Sequence, residues 1–187
     1  MIIKDKNKLN QKCEQVTDFE EAEKIAAELL NELTESKSGI GLAANQIGYN
    51  KRICVVNVKE PIAFINPEII KLDGNVLVPE SCLSFPKKVV TTNRARWVTI
   101  RSANHGEVIL GSDEDDDSLL EAVCAQHEID HLNGITMFDR KLKSNTIKRV
   151  TRKIGRNEKV TIEKDGDSKI LKWKKAQPYF KDGWTLV

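Results

Sequence analysis

Nothing in this sequence stays apolar long enough to cross a bilayer. Its longest apolar runs, such as Ile53–Val58, fall far short of the roughly 20 residues a spanning helix needs. The first residues, Met1-Ile2-Ile3-Lys4-Asp5-Lys6, have neither the apolar core of a secretory signal nor the Arg/Ser-rich character of a transit peptide. The expectation is a cytoplasmic protein without a membrane partner. Four cysteines are present (Cys13, Cys54, Cys82 and Cys124), but they form no CxxC pair and no dense framework. That excludes a disulfide-stapled scaffold and leaves four thiols. Internal repeats and low-complexity blocks are absent as well. Histidine is scarce, with three in the chain.

What remains is an ordinary globular balance: 187 residues, 40% hydrophobic and 31% charged. This suits one domain with a small appendage. Net charge is +2 but unevenly spread. Residues 138–187 hold 15 Lys/Arg against 6 Asp/Glu, whereas the preceding 137 hold 15 against 22. A basic tail on an acidic body is either a solvated surface helix or a surface for an anionic partner.

Asp18 and Glu21 make a capping box for a first helix, whose Ala22, Ile25, Ala26, Leu29 and Leu33 form one apolar stripe before Ser38-Gly39. Strand-like segments follow at 52–58, 62–65, 68–72, 88–92, 97–101 and 107–110, with turn signals at Glu60-Pro61, Asp73-Gly74 and Asn104-His105-Gly106. A second helix is expected from Ser118, with Glu121 completing a capping box and Gly134 ending it. Residues 145–154 read as a basic amphipathic helix. A hairpin around Asp165-Gly166 and a short helix near 174–182, made irregular by Pro178, come after it.

The second helix carries the strongest chemical signal, His127-Glu128-Ile129-Asp130-His131. Histidines at i and i+4 lie on one helix face and can reach one metal ion, with the intervening Glu128 beside them as a general base. A catalytic site needs a third protein ligand and an open position. Cys82, in Glu80-Ser81-Cys82-Leu83-Ser84, is the best candidate, because a thiolate is a strong ligand and its polar neighbours suit a site better than a core. The segment Gly39-Ile40-Gly41-Leu42-Ala43-Ala44-Asn45-Gln46 adds two glycines that let backbone approach a ligand and a glutamine amide able to donate to a developing oxyanion.

Together the segments GIGLAANQ, ESCLS and QHEIDHLNG resemble, in order and spacing, the GxGxAAxQ, EGCLS and QHExDHLxG motifs of the peptide deformylase family. The resemblance covers about residues 1–143. It implies an α+β fold of small mixed or antiparallel sheets packed around the central HExxH helix. The catalytic domain, at 1–143, includes an N-terminal helix, and a basic extension of helix, β-hairpin and short helix follows it at 144–187. The implied activity is metal-dependent hydrolysis of the N-formyl group of formyl-methionyl nascent peptides, releasing formate. Carried over by position, Cys82, His127 and His131 bind the metal and Glu128 moves protons. Gln46 and the Leu83 backbone N–H polarise the formyl oxygen. Ile40 and Gly41 pair with the peptide as an extended strand, while Val78, Leu120, Val123 and Cys124 line the methionine pocket. Arg94 pairs with Glu80 and braces the strand bearing Cys82, and Asp130 supports the histidine helix. Fe²⁺ is the implied physiological ion, with Ni²⁺ or Co²⁺ as active replacements and Zn²⁺ poorer, although a Cys/His₂ set suits zinc on ligand chemistry. In the family a C-terminal helix can dock on the ribosome, and Lys148, Arg149, Arg152, Lys153 and Arg156 are compatible with phosphate contacts. No sequence-specific DNA binding is expected.

Ser81 departs from the pattern, standing where the family has glycine. If that position requires a positive φ, a Cβ there costs of order 1 kcal/mol or more. Two rivals stay open: a zinc peptidase using the same helix, which would not need Cys82, and a deformylase-like binding protein of weak or no activity.

Overall fold

The computed structural model describes residues 1–36, 38–142, 159–164, 166–180 and 185–186. Contacts divide the chain into two units, Met1–Leu142 and Lys143–Val187.

The first unit is α+β, with short helices α1 (Lys6–Leu9), α3 (Ala44–Ile47) and α5 (Met137–Arg140) and two long ones, α2 (Phe19–Glu35) and α4 (Asp116–Leu132). Three strands, β1 (Gly41–Ala43), β2 (Ile53–Asn57) and β3 (Pro61–Ile65), form one antiparallel sheet in sequence order. A second antiparallel sheet takes the order β4-β7-β8, from Glu68–Asp73, Trp97–Ser102 and Gly106–Gly111. A ribbon pairs β5 (Val76–Ser81) with β6 (Val89–Arg94).

The sheet β1–β3 is covered on both faces, which explains why Ile53-Cys54-Val55-Val56 is continuously apolar. Cys54 and Val56 face α4 with Ala43, Phe64, Ile129 and Leu132. Ile53 and Val55 face the other way, against Ile25, Leu29 and Leu33 of α2. The alternation is the period-2 pleat of a strand. Helix α2 starts at the expected cap: the Asp18 carboxylate accepts from the backbone N–H groups of Glu20 and Glu21.

Helix α4 starts earlier than expected. Its cap is Asp115, not Ser118; the Asp115 carboxylate accepts from the backbone of Asp117 and Ser118 and from the Ser118 hydroxyl. Asp116 and Asp117, ahead of Ser118, therefore contribute the first turn, where negative charge favours the positive helix end. Helix α4 also buries more than the face that carries its histidines. Every residue from Glu121 to Leu132 is buried, because both three-stranded sheets pack on this helix. Strand β5 was missed, its Pro79 and Glu80 masking an otherwise extended segment. Pro79 is tolerated because β5 lies in a two-stranded ribbon with an open edge.

In the second unit, β9 (Lys159–Lys164) pairs with β10 (Asp167–Lys172) and with β11 (Thr185–Leu186), and a helix spans Trp173–Phe180. The hairpin and last helix fall where the sequence pattern puts them. The basic helix expected at 145–154 lies outside the described residues. Among the described residues, no helix is long and apolar enough to cross a membrane.

Leu29 is fully buried between α2 and the sheet. Leu29→Ala is expected to lower the unfolding free energy by about 2–5 kcal/mol, read as a shift of the urea midpoint.

Candidate active site

The buried stretch of α4 is far from apolar. It contains Gln126, His127, Glu128, Asp130 and His131, each at most 8% exposed. Buried polar groups must find partners, and these partners build the site.

Gln126 is joined to Ala95 as a strand would be: its Nε2 donates to Ala95 O at 2.9 Å and its Oε1 accepts from Ala95 N at 3.0 Å. This ties α4 to the connection between β6 and β7. At the other end of the helix, Asn45 Nδ2 donates to His131 O at 2.8 Å. Arg52 and the Cys13 backbone N–H both donate to Leu132 O, at 3.1 and 2.9 Å. The last carbonyls, which have no intrahelical donors, are thereby satisfied, and the turn carrying His131 is held.

The two imidazoles meet Cys82, which follows β5. One donor atom from each of Cys82, His127 and His131 lies within 4.8 Å of the others. Cys82 Sγ is 3.3 Å from His131 Nε2. Bonds of about 2.3 Å to sulfur and about 2.1 Å to nitrogen, at a tetrahedral angle, put such donors roughly 3.6 Å apart. The residues present therefore fit a divalent ion. His105, the third histidine, sits on the β7–β8 turn with Nε2 3.0 Å from Ala63 O, and stacks edge-on against Phe64. It takes no part in the cluster.

His127 is oriented from behind. Its Nδ1 donates to Glu80 Oε2 at 2.6 Å, leaving Nε2 for the cluster. Arg94 grips the same carboxylate twice, Nε to Oε1 at 2.6 Å and Nη2 to Oε2 at 3.0 Å, and Thr92 Oγ1 donates to Oε1 as well. Burial alone would raise the Glu80 carboxyl, but the bonds from His127 and Arg94 outweigh it and hold the group well below the usual carboxylate range. For His127, burial pushes the ring's pKa down, but bonds to Cys82 and Glu80 prevail and raise it; a metal held at Nε2 would take the place of that proton. His131 is driven the other way, by burial and then by His127, and stays a neutral donor.

Glu128 has no such support. Its Oε2 is buried without a hydrogen-bond partner among the described residues. Burial pushes its carboxyl up to about 7, near the pH at which a proton shuttle works best. Gly41 packs directly on it. A Cβ there would meet Cys124 Sγ, and would lie 2.7 Å from Glu128 Oε1. The glycine is needed for close approach, because its strand backbone demands no special φ.

Gln46, on α3, is 1% exposed. Its Oε1 accepts from Ala43 N at 2.8 Å, which turns the amide N–H group toward Ser84 Oγ at 3.1 Å and Cys82 Sγ at 3.5 Å. Leu83 opens the turn after Cys82, closed by Phe85 N to Cys82 O at 3.0 Å.

These groups border a cavity of about 470 Å³. Ile40, Gly41, Leu83, Leu120, Val123 and Cys124 all line it, as expected. Val78 does not. It precedes Pro79 on β5, and the wall there is made by Pro79 and Glu80–Leu83. Ser81 also lines the cavity, and its backbone answers the concern about the missing glycine. It is the last residue of β5, paired with Val89, and the non-glycine residues of positive φ among those described are Asn66 and Lys87.

Asp130, between the histidines, turns away from the cavity. Arg94 Nη1 donates to its Oδ2 at 2.6 Å, and Arg140 donates through Nε to Oδ2 at 3.0 Å and through Nη2 to Oδ1 at 2.7 Å. Sequence reasoning missed Arg140 and Thr92, which stand in no motif with a chemical signature, and gave no role to Ser84, the last residue of the ESCLS segment. Gly41→Ala is expected to displace the Glu128 carboxylate while the fold persists. A crystal structure and a thermal melt of the variant test this; an unmoved Glu128 would contradict it.

A family model described as "Polypeptide deformylase" matches residues 1–147. The peptide deformylase of Tolumonas auensis is 40% identical over 130 residues, covering 66% of this chain and 75% of the relative. That of Dictyoglomus turgidum is 38% identical over 138 residues, covering 73% and 88%. Among solved structures, the peptide deformylase of Thermotoga maritima superposes with a TM-score of 0.66 at 30% identity, covering 76% of this chain and 97% of that one.

Proposed function

This chain belongs to the polypeptide deformylase family, metal-dependent hydrolases that remove the N-formyl group from nascent polypeptides, and on that premise we propose which of its residues perform the reaction. Cys82, His127 and His131 hold one divalent ion. The reading is carried by one observation: a thiol and two imidazoles, with a partnerless carboxylate beside them, converge at the edge of a cavity. The bound ion supplies Lewis-acid activation of water near neutral pH.

Glu128 takes a proton from the attacking water and later gives it to the departing amine, and its raised pKa supports both steps. The Gln46 amide and the Leu83 backbone N–H stabilise negative charge developing on the formyl oxygen, each worth about 3 kcal/mol. β1 is the edge strand of its sheet, so Ile40 and Gly41 can pair with an extended peptide. Leu120, Val123 and Cys124 receive the methionine side chain. Glu80 and Arg94 fix the His127 ring. The physiological ion is Fe²⁺ by family resemblance, and Zn²⁺, Ni²⁺ or Co²⁺ can occupy the same donors in a purified sample. Residues 1–143 form the catalytic domain and 144–187 a basic extension that contacts ribosomal RNA in the cytoplasm.

The peptidase and binding-protein alternatives give way to this reading. Glu128→Gln is expected to slow formate release from formyl-Met peptides about 10²–10⁴-fold while the metal content is unchanged. Cys82→Ser is expected to lose the ion, which a peptidase using only the helix would not. Normal turnover by Glu128→Gln, or cleavage of acetyl-Met controls as fast as formyl-Met, would contradict the assignment. For the extension, cosedimentation with ribosomes is expected to weaken as salt rises and to disappear when residues 144–187 are removed. Binding that survives the truncation would remove the idea.

A further inference from the structure

The bonds behind His127 continue further than the reaction requires. From His127 they run to Glu80, then Arg94, then Asp130, and end at Arg140 on α5. The first four groups are buried, whereas the Arg140 side chain is 47% exposed. A second cavity, of about 350 Å³, opens on this end of the chain and is lined by Arg94, Gln126, Asp130 and Arg140.

Charge makes the last link matter. Two carboxylates, Glu80 and Asp130, face two guanidinium groups, Arg94 and Arg140, so the cluster is balanced. Arg94 spends two donors on Glu80 and one on Asp130. Among the described residues, Asp130 Oδ1 accepts from Arg140 alone, and Oδ2 is shared between the two arginines. Without Arg140, Asp130 would keep one oxygen unpartnered and one buried negative charge uncompensated. Arg94 is the nearest remaining cation, and satisfying Asp130 would draw it off Glu80. The Glu80 carboxylate would then be free to turn, and with it the ring of His127.

We infer that Arg140 is a positioning residue for the metal centre: by saturating Asp130 it leaves Arg94 committed to Glu80, and so fixes the His127 imidazole. The inference rests on the proposed Cys82/His127/His131 metal site. It assigns a role at the site to a half-exposed side chain that touches none of the three donors.

The test uses full-length protein loaded with Co²⁺, reading the visible absorption of the bound ion, its release to a chelator, and kcat and KM on formyl-Met peptide. Arg140→Gln is expected to release the ion about 10-fold faster, to shift the absorption band, and to lower kcat with KM nearly unchanged. Arg140→Lys, which keeps the charge but not the two-pronged contact, recovers part of each effect. In Arg140→Gln/Asp130→Asn the surplus negative charge is gone, and release returns toward the wild-type rate. If Arg140→Gln fails to fold, Arg140→Lys carries the same readouts, with about 3-fold faster release expected. A lower melting temperature with wild-type release and absorption would overturn the inference, leaving a structural ion pair. Wild-type protein that bound no Co²⁺ would instead overturn the metal site itself.

Discussion

A charged group taken out of water must be matched by partners or pay a penalty of several kcal/mol. That constraint governs this protein, because its central helix runs two histidines, a glutamate and an aspartate through the interior between two sheets. The surrounding architecture supplies the partners. Asn45 and Arg52 take the carbonyls at the end of α4, Ala95 takes Gln126, Glu80 takes His127, and Arg94 with Arg140 takes Asp130. Removing one partner from such a buried pair typically costs about 3–5 kcal/mol, so these residues hold the geometry together as well as the fold.

On this helix His131 Nδ1 and Glu128 Oε2 are buried without a hydrogen-bond partner among the described residues, and at Glu128 that is where chemistry becomes possible. Two buried glutamates flank the same imidazole with opposite tendencies. Glu80, gripped by Arg94 and His127, is locked in its ionised form. Glu128, given no donor, is raised until it can both accept and return a proton near neutrality. Pairs of titratable groups pushed apart by their surroundings mark a division of labour: here one carboxylate orients and the other exchanges protons. Gly41 packs against Glu128, which limits where its carboxylate can sit.

The sequence was most legible where local chemistry repeats at helical or pleat spacing. The α2 stripe from Ala22 to Leu33, the paired histidines one turn apart, and the β7–β8 turn at Asn104–Gly106 all fall where spacing puts them. Cys82 was readable because its segment carries a motif that backbone geometry leaves intact. What escaped was whatever depends on neighbours distant in the chain. Val78, assigned to the methionine pocket from family position, is not among the residues lining the cavity, whose β5 wall begins at its neighbour Pro79. The cap of α4 was placed three residues late, because an aspartate run reads equally well as a solvated loop. Arg140 joins Asp130 through a turn between α4 and α5 that no periodicity announces. Ser81 raised a doubt from the sequence that only its strand conformation could resolve.

The central claim is that one sulfur and two imidazole nitrogens share a single ion. X-ray absorption at the edge of the bound metal measures this directly. The account predicts one sulfur at about 2.3 Å together with nitrogen or oxygen scatterers at about 2.1 Å, two of them imidazole. A shell of nitrogen and oxygen alone, with no sulfur, would contradict it.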